Sequence, residues 1–469
     1  MRTTLRRSCN ACAKAKLGCD LRIPQCSRCI KRNSKCVYAN KPLNSPLDAY
    51  GSSTEVASYN GETVSRVSEN PAWIRNPATA SFDPFDSYPP TRLPRLHVQR
   101  LIHRFLSSIA FQYYPLDLNM ESNPFIVSWW PLALADQALF HVSLQTASLY
   151  EELQAQKGFP ISDLLMVDSI ALVRRRIEDS SLAFQDETLD SVVTLAAIEH
   201  GKGNIEASRM HIDGVKRMVG IRGGIDELKQ RSPLTARMVS WVSMLVMEAP
   251  QFPIKDDSGH GDGISAIPQW QLASTDGETQ DANLKLNITP TMSNILSRLR
   301  NIFHHAWHSS LTNTQLHDLT CFVMHKLLLL PPFLDADANQ VQSAASESLR
   351  YATALYMLIL HGTTYYSHVG LANAITLQLK CHLAALLRYD HIHDPLGIWV
   401  ISVGLVATVG TRNHEWFTDQ ASVAAAALGL KTWEDVLTHL QSILWVRVPQ
   451  EELFRQEWEE VFKMAAKGG

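Results

Sequence analysis

Six of the eight cysteines of this 469-residue chain fall between Cys9 and Cys36, and their spacing constrains the fold more than any other feature. They read Cys9-x2-Cys12-x6-Cys19-x6-Cys26-x2-Cys29-x6-Cys36, so that C-x2-C-x6-C occurs twice, joined by Asp20-Leu21-Arg22-Ile23-Pro24-Gln25. A C-x2-C pair at a helix start sets two thiolates on one metal ion, as structural zinc sites require. Six thiolates cannot supply two separate four-thiolate sites. Two tetrahedral ions fit only if two sulfurs bridge, and the pseudo-symmetry of the halves assigns the bridging to the first cysteine of each, Cys9 and Cys26. The expectation is therefore two Zn2+ ions held by Cys9, Cys12, Cys19, Cys26, Cys29 and Cys36. The chain is expected to be soluble and intracellular, where clustered thiols stay reduced and serve as metal ligands rather than disulfides.

Charge divides the chain at the same place. Residues 1–41 carry eleven Lys or Arg against the single acid Asp20, a net of +10, whereas the remainder has 32 bases against 45 acids, a net of −13. A basic head on an acidic body calls for a polyanionic partner of the head alone. Two zinc ions and six thiolates together subtract two charges, so the loaded head keeps about +8. A module this small has almost no apolar core, and metal binding is its folding energy.

Beyond the head, residues 41–94 hold eight of the 22 prolines among Ser, Asn and Gly, and read as a disordered linker without a heptad run. Within it Ser81-Phe-Asp-Pro-Phe-Asp-Ser-Tyr-Pro-Pro90 mixes acids with aromatics, as activation or docking segments do. From residue 95 to 469 the pattern is helical. Leu189, Val192, Val193 and Ala196 form one apolar stripe; Val341, Ala345, Leu349, Ala352, Leu355 and Ile359 form another. Thr289-Pro290 looks like an N-cap and first helical position, and a helix starting near Asn204 is expected to stop at Gly223-Gly224. The fold class is all-α: a small two-zinc module with two short helices, then a large helical domain with a disordered loop over about 250–287, where DDSGHGDG lies. The best apolar run, Gly397 to Gly410, is short of a bilayer span, and Val369 to Leu387 is interrupted by Asn373, Gln378 and Lys380.

On these cysteines the chain resembles the fungal zinc binuclear cluster (Zn2Cys6) transcription factors, including the proline of the inter-half loop, Pro24. The wording CNACAKAKLGCD is most similar to regulators of fungal secondary-metabolite pathways, and HIDGVKRMVGIRGG (His211 to Gly224) looks like a segment of the helical fungal-specific regulatory domain. The resemblance implies a nuclear regulator of RNA polymerase II genes that binds double-stranded DNA and meets transcription machinery or co-regulators. It also implies a first helix, from near Cys9 to about Leu17, presented to the major groove. Lys16 matches the family's base-reading lysine, whose targets are the guanines of a CGG-like half-site. Arg6, Arg7, Lys14, Arg28, Lys31, Arg32 and Lys35 then hold phosphates. Because Ala13, Ala15, Leu17 and Gly18 surround the two lysines where relatives carry more cations, a TCG-type half-site stands beside CGG. A homodimer would have to form without a coiled coil.

The rival reading is a zinc-containing interaction protein whose basic head meets acidic protein or RNA. An enzymatic body finds no motif: His304 and His308 fall on a polar helix face, His391 and His393 in a turn-like segment, and no G-x-S-x-G, P-loop or dinucleotide fingerprint occurs. Cys321 and Cys381, each in an apolar helical run, read as buried packing residues. The C-terminal stripe Phe454, Trp458, Val461 and Phe462, set among glutamates, reads as a helix packed on the body.

Overall fold

The computed structural model describes residues 10–15, 27–32, 34, 88–273, 286–305, 311–333, 340–388, 394–446 and 448–468. They belong to two compact units, one of residues 1–86 with 90–99, the other of 87–89 with 100–469. The all-α expectation holds: among the described residues the backbone is mostly helical, and β pairing is confined to an isolated parallel bridge between Ile254 and Ile264. In the first unit, two one-turn helices, Asn10–Lys14 and Ser27–Lys31, touch one another.

The second unit is a helical stack whose first part centres on Gln137–Ala155 and Asp186–Gly201. Ala138 to Leu149 and Thr188 to Glu199 are buried without interruption, which requires partners on every face. Pro160–Glu178, Ile205–Ile221 and Pro233–Met247 supply them. Local signals set the ends. Asp136 accepts from Leu139 N at 2.9 Å and also pairs with Arg176. Asn204 accepts from Ala207 N, and the helix it caps stops where Gly223 and Gly224 take positive φ and Gly224 N donates to Val219 O.

The second part is built around Gln340–His361 and Pro395–Ala407. The apolar run after Pro395 is a helix buried on all sides from Leu396 to Leu405. Gly404 is required there, because a Cβ would land on the Phe417 ring. Trp399 Nε1 donates to Leu444 O at 2.7 Å and Trp458 Nε1 to Ser402 Oγ at 2.9 Å. The C-terminal helix Glu451–Gly468 buries Phe454, Trp458 and Val461 and turns Glu452, Glu459 and Glu460 outward, so its apolar stripe is core. Arg350 braces the end of helix Asn313–Leu329: its guanidinium donates to Leu327 O and Leu330 O, both at 2.7 Å, and pairs with buried Glu347.

Three expectations are corrected. Residues 250–273 of the expected loop are built into the core through Phe252, Ile264, Ile267 and Trp270, and Pro268–Leu272 is helical. The polar DDSGHGDG text hid this because its charges are used internally. Asp256 accepts from Ser258 N and His260 N, Asp257 from Trp270 Nε1 at 2.8 Å, and Lys326 pairs with Asp257 at 2.9 Å. Residues 274–285 lie outside the described residues, as does the expected linker up to residue 87; Tyr88 stacks on Phe140. Helix Val369–Leu387 is, by length and composition, apolar enough to cross a membrane. It packs a stripe of Leu371, Ile375, Leu379, Leu383 and Leu386 against Gln340–His361, with Asn373 and Gln378 exposed. Cys381 sits on that exposed side rather than in the core, two residues from buried Leu379 and two from buried Leu383, and so off the face they share.

Candidate metal centre and nucleic-acid interface

The two short helices of the first unit repeat one another with the seventeen-residue offset of the cysteine halves. Each starts one residue after a half's first cysteine and carries that half's second, Cys12 in Asn10–Lys14 and Cys29 in Ser27–Lys31. Cys12 is 3% and Cys29 2% exposed. Around them Lys14, Ala15, Arg28, Ile30, Lys31 and Arg32 are all exposed. Among the described residues of the head, no buried apolar side chain accompanies these two soft sulfurs, whose helices otherwise present cations and one exposed isoleucine. Thiolate ligation of zinc explains their burial. The donor chemistry therefore fits the group, and the cations Lys14, Arg28, Lys31 and Arg32 form an outward basic face on the same two turns.

The first helix is described over Asn10–Lys14, with Ala15 N closing the turn on Ala11 O at 3.1 Å, and the rest of its expected run to about Leu17 lies outside the described residues. Cys9, Cys19, Cys26, Cys36, Arg6, Arg7, Lys16 and Lys35 lie outside the described residues. Among the described residues no three His, Cys, Asp or Glu side chains converge as a metal site. His304 is exposed, and His308, His391 and His393 are outside the described residues.

The helical unit holds a polar cluster that sequence reasoning missed. His317, Cys321 and His325 follow at four-residue intervals along one buried face of Asn313–Leu329. His317 Nδ1 lies 2.8 Å from His361 Nε2, and His325 Nδ1 lies 2.8 Å from the Cys321 carbonyl. Burial lowers His317 and His325 to about 4, and His361 well below its ordinary value, so all three imidazoles are neutral at pH 7. Burial likewise pushes the Cys321 thiol up to about 12, which removes it as a nucleophile. Asp318 is held below the usual carboxylate range despite its burial, because Arg237 grips it through Nε at 2.7 Å and Nη2 at 3.1 Å and Lys229 adds a second cation at 3.3 Å. The signal was present in the text: three polar groups at i, i+4 and i+8 on an apolar stripe.

Comparison with known proteins places both units. Residues 7–45 match the fungal Zn(2)-Cys(6) binuclear cluster domain, a module that binds two zinc ions through its cysteines, and residues 100–249 match the fungal specific transcription factor domain. The second match ends beside the end of helix Pro233–Met247. Over 34 residues the chain is 56% identical to "Transcriptional regulator GME11370" of Pestalotiopsis microspora, a stretch covering 7% of this chain and 8% of that protein. No solved structure matches the chain. Neither matched family is an enzyme family. The chain thus joins a fungal Zn(2)-Cys(6) binuclear cluster domain to a fungal specific transcription factor domain, the make-up of a fungal Zn2Cys6 transcription factor.

Proposed function

We propose that this chain is a sequence-specific, DNA-binding transcription regulator of the nucleus, controlling a fungal secondary-metabolite gene cluster. The observation that carries the reading is the placement of charge and sulfur in the head. Cys12 and Cys29 are buried at equivalent positions of a repeat whose outer surface is cationic. Residues 1–40 form the DNA-binding module, 41–94 a linker, and 95–469 the regulatory domain.

In this mechanism Cys9, Cys12, Cys19, Cys26, Cys29 and Cys36 would hold two Zn2+ ions, with Cys9 and Cys26 as the shared pair. The ions would supply the cross-links of a module this small. Lys16 donates to guanine O6 and N7 of a CGG- or TCG-type half-site in the major groove. Arg6, Arg7, Lys14, Arg28, Lys31, Arg32 and Lys35 engage phosphates, which set register and carry no sequence information. With about five phosphates neutralised, log K falls against log salt with a slope of about −4.5.

Selection of the full-length zinc-loaded chain against a randomised duplex library, in parallel with Lys16→Ala, tests this reading. Enrichment of a CGG- or TCG-type element that relaxes in the variant is expected, and two copies at fixed spacing would mark a dimer. Salt-sensitive binding without any enriched sequence would overturn the proposal in favour of a basic interaction module.

A further inference from the structure

Helix Val369–Leu387 buries one stripe and leaves the opposite one bare. On the bare side Gly370, Ala374, Leu377, Cys381, Ala384 and Arg388 recur at intervals of 4, 3, 4, 3 and 4, the spacing of a seam between paired helices. Arg388 caps the helix in the right-handed helical conformation and so continues the row. Leu377 is 56% exposed, Ala374, Cys381 and Arg388 are exposed with it, and Gly370 and Ala384 are half-buried. The outer face of a helix on a folded domain ordinarily carries charge. Between Val369 and Leu387 the single Lys, Arg, Asp or Glu is Lys380, and it is turned aside. Its ammonium donates to Asn413 Oδ1 at 3.2 Å and lies over the Trp416 ring.

The two ends of the row are charged, and oppositely. Arg388 stands at the C-terminal end. At the N-terminal end the Glu248 carboxylate lies where a Cβ on Gly370 would be, so it occupies that position of the row. Glu248 and Arg388 are exposed, and among the described residues neither side chain takes part in an ion pair. Gly370 and Arg388 are eighteen residues apart, about 27 Å along the axis, too far to pair within one chain.

The row has the same spacing from either end. Leu377 and Cys381, Ala374 and Ala384, and Gly370 and Arg388 are each equidistant from residue 379. Such a row can meet a second copy of itself across a two-fold axis, as an isologous contact requires. A second helix laid antiparallel on this face sets Leu377 of each copy against Cys381 of the other. Ala374 then meets Ala384, which lets the backbones approach, and each Arg388 comes beside Glu248 of the other copy. A lipid surface would accept the apolar row but would leave both end charges unmatched.

We propose that this face of helix Val369–Leu387 joins two copies of the chain as a symmetric antiparallel pair. The contact lies wholly within the helical unit and forms without DNA, so it stands apart from the DNA-binding reading. One helix pair is a small contact, and the association is therefore reversible rather than permanent.

The test is sedimentation equilibrium of the full-length, zinc-loaded chain without DNA, carried through the micromolar range. A monomer–dimer equilibrium is expected, with no larger species. Leu377→Arg, at an exposed position, places a cation beside the axis in both copies and is expected to weaken dimerisation at least about tenfold with the melting temperature retained. Arg388→Glu makes both end pairs like-charged and is expected to weaken it about fivefold. Adding Glu248→Arg to that same chain is expected to restore the dimer, because each copy then presents the exchanged charges to the other. Should Leu377→Arg misfold, the charge exchange still decides. A chain that stays monomeric, a dimer untouched by Leu377→Arg, or an exchange that fails to restore association would each overturn the pairing. A monomer that floats with phosphatidylcholine vesicles would overturn it too, and would assign the face to lipid.

Discussion

Acid should loosen the helical unit well above the pH at which carboxylates titrate, and His325 sets the magnitude. The side chain is 0% exposed, its Nδ1 is held by the Cys321 carbonyl, and its Nε2 has no partner to accept a second proton's charge. Its pKa is lowered from 6.5 to about 4 by burial. A folded-state value below the unfolded one means the unfolded chain binds the proton first, so stability is fully present above the unfolded pKa and is lost as pH falls toward the folded one. At pH 5 the unfolded imidazole is almost wholly protonated and the folded one about a tenth so, which costs about 2 kcal/mol relative to pH 7. His317 and His361 add in the same direction. Buried Asp190, whose carboxyl is raised well above its ordinary value, acts oppositely. Comparing wild type with His325→Met cancels those shared contributions. Denaturant midpoints of the two full-length chains, measured from pH 7.5 to 5, should diverge by about 2 kcal/mol, the variant losing less stability on acidification. Parallel profiles, or a wild type that gains relative stability in acid, would refute the burial argument.

Three further outcomes follow from the described side chains. Cys12→Ser should release zinc and abolish specific DNA binding while leaving the far-ultraviolet circular dichroism of the helical body near wild type; metal content and duplex titration read it directly. Replacing exposed Lys31 and Arg32 together by Gln should weaken binding to all duplexes alike and flatten the salt slope by about 2, and an unchanged slope would remove them from the phosphate contacts. Arg350→Ala strips the carbonyls of Leu327 and Leu330 of their donor and strands Glu347 as a buried charge, so a loss of about 3–5 kcal/mol is expected in denaturant unfolding.

What the chain announces, it announces through backbone chemistry and through spacing. The Asn204 cap and the Gly223-Gly224 stop were legible because only certain residues tolerate those conformations, and each acts within five residues of its own position. The all-helical class followed from periodicity in the same local way. Residues 250–273 were misread because a run of Asp, Gly and Ser looks solvated until its partners are known. Those partners, Asp226 on Lys255 and Lys326 on Asp257, lie 29 and 69 positions away. Cys381 failed for the converse reason. Leu377, one turn before it on the same face, is apolar yet exposed, so composition could not say which face meets the core.

The two sets of polar groups that matter most differ in how far apart their members stand in the sequence, and that difference explains why one was found. The six cysteines of the head lie within 28 residues, and ligand spacing alone restricts what can hold them. The helical unit's cluster draws Tyr113 and Trp241 together with His317 and His361 across more than two hundred positions, and none of them sits in a motif. The intervals between His317, Cys321 and His325 did say that polar groups share an apolar helix face. They could not say that His361 would supply the partner for one ring and that Trp241 would stand beside both. Those facts arise only when the first part of the stack closes on the second, and any residue that alters the closure, in either part, alters the cluster.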